Sequence, residues 1–123
     1  MTWIAVALGG ALGSVARHAV NLGFSRLGVS ATPYATASVN IAGSLVIGVL
    51  AGLIAVGRLH MAPAARAFVF VGILGGFTTF SSFMLDTLTL SHGGRSQLAV
   101  SNIAVQLALG AIAVFAGYAA AAR

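Results

Sequence analysis

Residues 72–83 read GILGGFTTFSSF. Paired glycines, paired threonines, three phenylalanines and two serines stand together inside an otherwise oily run. A Gly-Gly step weakens a helix, and a β-branched Thr-Thr pair adds little propensity to restore it. In hydrocarbon, interrupted backbone is tolerated only where it is buried in protein or lines a cavity. One reading is therefore a helix broken mid-membrane. Its freed carbonyls would face a cation, and the N-terminus of its second half would favour an anion. The other reading is an unbroken, glycine-packed helix whose Ser and Thr hydroxyls bond back to their own carbonyls. The residues alone leave these two even.

The rest of the chain supplies the membrane. Of its 123 residues, 59% are hydrophobic and 6% are charged, against about 25% charged in soluble domains. Four stretches reach the roughly 20 apolar residues that a spanning helix needs: 3–24, 34–57, 67–90 and 97–121. The connections between them are short, so residues 1–123 are read as a single four-helix transmembrane domain. Met1-Thr2-Trp3 lacks the basic side chain of a signal peptide, and the first apolar run is long, so it is read as a retained span. Thr32-Pro33 is read as a helix cap followed by proline at the first helical position.

Charge excludes some functions and leaves orientation open. All six basic residues are arginines, scattered singly near segment ends, which suits membrane-edge anchors better than a nucleic-acid stripe. Arg58, Arg66 and Arg123 would share one side, and Arg17, Arg26 and Arg95 the other. Such a balance fits copies inserted both ways and paired antiparallel, and equally fits small-number scatter. The absence of cysteine excludes disulfides and thiolate metal sites. His18, His60 and His92 lie on separate segments near membrane edges, and Asp86 is the only acid. No nucleophile–base–orienter set emerges, and an enzyme is not expected.

Each remaining span carries one small or polar row at helical spacing: Gly9, Gly13, Arg17 and Asn21; Thr36, Asn40, Ser44, Gly48 and Gly52; Asn102, Gln106 and Gly110. The glycines are read as close-packing positions. Asn40 is read either as glue between helices or as a lining for ions, and Arg17 as a snorkelling anchor or a vestibule charge. Asn102 and Gln106 are read as interhelical glue. Phe80 and Phe83, three apart, share a helix face, where positive ring edges can line an anion path without trapping the ion. Ordinary core or lipid-facing packing is the plain reading of the same pair. Asp86 is a functional candidate or an interfacial partner for an arginine.

At these residues the sequence resembles the Fluc/CrcB family of fluoride channels. GGFTTFSSF is similar to that family's third-span signature, supported by GGALGSVAR in the first span and by Asn40 in NIAGSLVIG in the second. The resemblance implies an all-α integral membrane protein of a prokaryotic inner or plasma membrane. Four transmembrane helices, the third broken mid-membrane, would form an antiparallel dual-topology homodimer with two pores passing F− passively. It implies a structural Na+ at the dimer centre, held by the backbone carbonyls of Gly75 and Thr78. The fluoride path would comprise Phe80, Phe83, Asn40, Ser81, Ser82, Thr79 and Arg17. The chain departs from the family in three places: Asp86 where a glutamate is common, Ala35 before Thr36 where Gly-Thr is common, and Asn102 where some members carry an aromatic hydroxyl. Two rival readings are a small proton-coupled multidrug-type transporter and a non-transporting membrane assembly subunit. The first is disfavoured by the lack of an acid in the first span, the second by the polar-aromatic stretch, which packing alone does not require.

Overall fold

Apolar length decides the architecture before packing does. In the computed structural model, residues 1–28 and 33–123 are described in full and 31–32 by backbone only, so the expected Thr32 cap lies outside the described side chains. Four helical segments among the described residues are long and apolar enough to cross a membrane: Thr2–Arg26, Pro33–Ala55, Pro63–His92 and Ser96–Ala121. We label the first helix α1 (Thr2–Arg26) and the second α2 (Ala31–Ala55). The third span is two helices. Its first half, α3 (residues 63–77), runs through a π-helical stretch at Ala67–Leu74 and ends in the turn Gly75–Phe77. Its second half is α4 (Phe80–His92), and the fourth span is α5 (Ser96–Ala121). Gly57 and Gly94, both at positive φ, turn the chain out of α2 and α4, a conformation that side-chain-bearing residues rarely adopt.

Glycine rows sort the spans into two parallel pairs. On α1, a Cβ at Gly9 would sit 2.9 Å from Gly72 Cα, and one at Gly13 would sit 2.8 Å from Phe77 N. The contact advances in the same direction along both helices, so α1 and α3 run parallel, backbone against backbone. On α2, Gly48 meets the Val114 carbonyl, and a Cβ at Gly52 would sit 2.6 Å from Tyr118 O, so α2 and α5 also run parallel. Small residues accordingly make up much of the core, with Ala35, Val39, Ala99 and Ala121 buried beside Leu74, Phe83 and Leu90. Leu8, Leu12, Val15, Val71, Leu85, Ile112 and Phe115 are each more than half exposed, an apolar exterior that water would not tolerate and hydrocarbon does.

Between the pairs the third span breaks. Thr78 (φ −82°, ψ 160°) and Thr79 (φ −154°, ψ 120°) are extended, interrupting the helix where the Gly-Gly-Phe-Thr-Thr sequence weakens it. The break lets α3 stay on α1 while α4 packs against α5 and α2.

Candidate functional site

The break is held by side chains that replace the missing helix bonds. In a continuous helix the Thr79 N–H would close onto the Gly75 carbonyl. Here it donates to Asn40 Oδ1 at 2.8 Å, and Asn40 Nδ2 donates back to Thr79 O at 3.1 Å. One amide on α2 thus pairs with both backbone groups of a residue on another span. Similarly, the Ser82 N–H, which would close onto the Thr78 carbonyl, donates to Thr79 Oγ1 at 3.2 Å and so caps α4. The break leaves the carbonyls of residues 75–78 without helical N–H donors, those of Gly75 and Thr78 among them. Gly75 and Thr78 line an open cavity of about 360 Å³, together with Asn40, Ser44, Thr79 and Phe80.

Hydroxyls and rings cluster on the α4 side. Thr79 Oγ1 donates to Ser82 Oγ at 3.0 Å and lies 3.4 Å from Ser81 Oγ. This places three hydroxyls at the positive end of a thirteen-residue helix, where negative charge is favoured. The Phe80 and Phe83 rings meet edge to face, with centroids 5.7 Å apart and planes inclined at 70°. Phe83 is 3% exposed while Phe80 is 70% exposed, so one ring belongs to the core and the other to the outer surface of the single chain. The expected back-bonding of hydroxyls is also present, from Thr78 to Leu74 O and from Thr87 to Phe83 O, each at 2.8 Å. It coexists with the break rather than replacing it.

A chain of amides runs outward from Asn40. The Nδ2 group that serves Thr79 O also donates to Gln106 Oε1 at 2.8 Å. Gln106 Nε2 donates to Asn102 Oδ1, and Asn102 Nδ2 donates to Thr87 Oγ1, both at 2.9 Å. Asn102 and Gln106 are buried on α5, where they bridge helices as glue. For Asn40 the structure shows a clamp on the break, with its amide engaged on two sides. Thr87 did not stand out in the sequence. Its position one turn beyond Phe83, on the same helix face, was the available signal.

The structure brings Asn40, Thr79, Phe80, Ser81, Ser82 and Phe83 together around the break. Arg17, half-buried, continues the row of Gly9 and Gly13 one turn past the Gly13–Phe77 contact, and no polar contact ties it to that cluster. Asp86 is buried within α4. It lines a second cavity of about 280 Å³ with Tyr34, Thr89, Arg95, Ser101 and Asn102. Among the described residues no three His, Cys, Asp or Glu side chains group to hold a metal ion.

Comparison with known proteins places these features in a lineage. The family model for CrcB-like proteins, named for camphor resistance (CrcB), matches residues 4–118. The fluoride-specific ion channel FluC of Nitrobacter winogradskyi is 46% identical over 120 residues, covering 95% of this chain and 94% of that one. The protein of the same name from Paracoccus denitrificans is 49% identical over 117 residues, covering 94% and 90%. That from Agrobacterium fabrum is 46% identical over 114 residues, covering 93% and 90%.

Proposed function

The chain belongs to the CrcB family, and from that membership we propose that it is a fluoride-selective channel, not an enzyme, set as a multi-pass protein in a bacterial plasma membrane and passing F− down its gradient. The observation that carries this reading is the break at Thr78–Thr79, which sets a polar, helix-capped corner directly beside an edge-to-face aromatic pair.

Fluoride is small and strongly hydrated, so dehydration is the principal barrier. The hydroxyls of Ser81 and Ser82 offer neutral donors, the Thr79 hydroxyl holds Ser82 by donating to it, and the α4 N-terminus adds a partial positive charge. The edges of Phe80 and Phe83 carry the ion onward without a full charge that would hold it. Release matters as much as entry in conduction, which suits neutral donors. Asn40 forms the floor of this path, its two amide protons committed to Thr79 O and Gln106 Oε1, so that it serves the path by holding Thr79 in place. Arg17 stands at the mouth, drawing anions toward it.

The exposed ring of Phe80 calls for a second wall. A second copy inserted antiparallel supplies it, giving two paths per dimer, consistent with the even distribution of arginine between the two sides. The carbonyls of Gly75 and Thr78 fit a structural Na+ at the centre of that dimer: they are hard oxygen donors without helical N–H partners, on two residues that line one cavity. When bound, Na+ supplies a fixed positive charge between the two breaks. The residues of each chain hold it and keep both breaks in register.

The test is fluoride efflux from liposomes containing purified protein, followed by an ion-selective electrode with chloride as control. Rapid fluoride loss without chloride loss, independent of a proton gradient, is the expected result. An absence of efflux from folded dimer would overturn the reading. Replacing Na+ with a large organic cation is expected to lower the flux or dissociate the dimer, and unchanged flux and assembly would remove Na+ from the proposal.

A further inference from the structure

We infer that Gln106 and Asn102, on the fourth span, are positioning residues that hold the break in its conducting geometry. The inference rests on the fluoride path proposed above and concerns how that path is kept in shape.

The hydrogen-bond chain begins and ends on backbone groups, whose donor and acceptor roles are unambiguous. At one end, the Thr79 N–H can only donate and the Thr79 carbonyl can only accept. Asn40 must therefore present Oδ1 to the former and Nδ2 to the latter, as it does. Its second amide proton then requires an acceptor, which is Gln106 Oε1. That turns Gln106 Nε2 toward Asn102 Oδ1, and Asn102 Nδ2 toward Thr87 Oγ1. At the other end, the Phe83 carbonyl can only accept, so the Thr87 hydroxyl donates to it and must itself accept from Asn102. The polarity dictated from Thr79 meets the polarity dictated from Phe83 without a mismatch.

Position makes this consequential. Phe80 follows Thr79 directly, and Phe83 carries the terminal acceptor, so the chain ties down the backbone at both rings through residues of α5. Gln106 is 6% exposed and Asn102 8% exposed, too enclosed for water to replace either partner freely. Removing Gln106 leaves an amide proton of Asn40 and the Asn102 carbonyl oxygen without their buried partners, and both amides can then turn. The frame of Thr79 turns with them.

Two substitutions at one position test this. Gln106→Met keeps the volume and removes both polar groups. Gln106→Glu keeps the acceptor, and when protonated it also keeps a donor toward Asn102 Oδ1. Ionised, it has no donor, and two oxygens face each other. Burial at this position raises a carboxyl's pKa above its ordinary value of about 4.3, so the readout is fluoride efflux between about pH 5.5 and about pH 9, with protein-free vesicles subtracted at each pH. Asp86 and Arg95, which line the cavity beside Asn102, are kept in every variant.

The expected result is a loss of flux of about tenfold for Gln106→Met in a protein that still runs as the wild-type oligomer. Gln106→Glu is expected to approach wild-type flux at the acid end and to lose it as the pH rises, while wild type stays flat. A merely structural amide would not produce that pH profile. Wild-type flux in Gln106→Met, or a Gln106→Glu profile parallel to wild type, overturns the inference and leaves the fluoride reading standing. Silence of wild type itself would instead defeat the fluoride reading, and this inference with it.

Discussion

Residues 63–77 and Phe80–His92 belong to one membrane span, yet different chemistry holds each to the rest of the molecule. The first half lies on α1 through glycines, with Gly9 and Gly13 admitting the backbone of Phe68–Phe77 and Gly76 admitting that of Gly10. The second half is held by directed polar bonds from α2 and α5, through Asn40, Asn102 and Thr87. The glycine seam provides close van der Waals packing, which in lipid replaces the hydrophobic drive that water would supply. The polar seam provides direction. A dry glycine contact can hold a helix firmly, but it cannot hold two extended residues with their carbonyls turned away from the helix axis.

Breaking the glycine seam carries the largest expected effect. Gly13→Leu would drive a side chain into the backbone of Ile73 and Phe77, where neither neighbour has a flexible end to move aside. We expect little or no folded protein in detergent, read by size-exclusion chromatography. Recovery of a stable, conducting protein would show that the seam is looser than its geometry. Asn40→Asp attacks the other seam: it removes the amide donor to Thr79 O and Gln106 and sets a carboxylate beside the anion path. Flux should fall about a hundredfold or more, given several kcal/mol of like-charge repulsion outside bulk water.

The two rings then separate packing from conduction. Phe80→Ile and Phe83→Ile should each lower fluoride flux about tenfold, the equivalent of one aromatic contact of roughly 1.4 kcal/mol. Only Phe83→Ile should also lower the thermal unfolding temperature, because Phe83 is buried and Phe80 is not. Equal destabilisation by both would mean that Phe80 is packed as deeply in the assembled protein as Phe83 is in the single chain. The smallest effect should come from Thr79→Val, which removes the α4 cap and costs about 1 kcal/mol of stability. A larger loss would place more of the break on that hydroxyl than on Asn40.

The four spans and their small-residue rows were legible in the sequence because membrane length and helical spacing are local properties. Apolar runs of sufficient length appear as the helices of the structure. The rows Gly9–Gly13, Gly48–Gly52 and Asn102–Gln106 appear as buried contact lines. The weakness of GGFTT as a helix was equally local. Whether that weakness would become an actual break was open, since hydroxyl back-bonding offered an intrahelical alternative. Asn40, thirty-nine residues away from Thr79, decided the matter by supplying both a donor and an acceptor to one peptide. The sequence also could not say which way each amide points, or that Thr87 closes the chain onto Phe83. Those facts depend on distant groups meeting with matched donors and acceptors, and donor–acceptor matching exists only once the helices have been brought together.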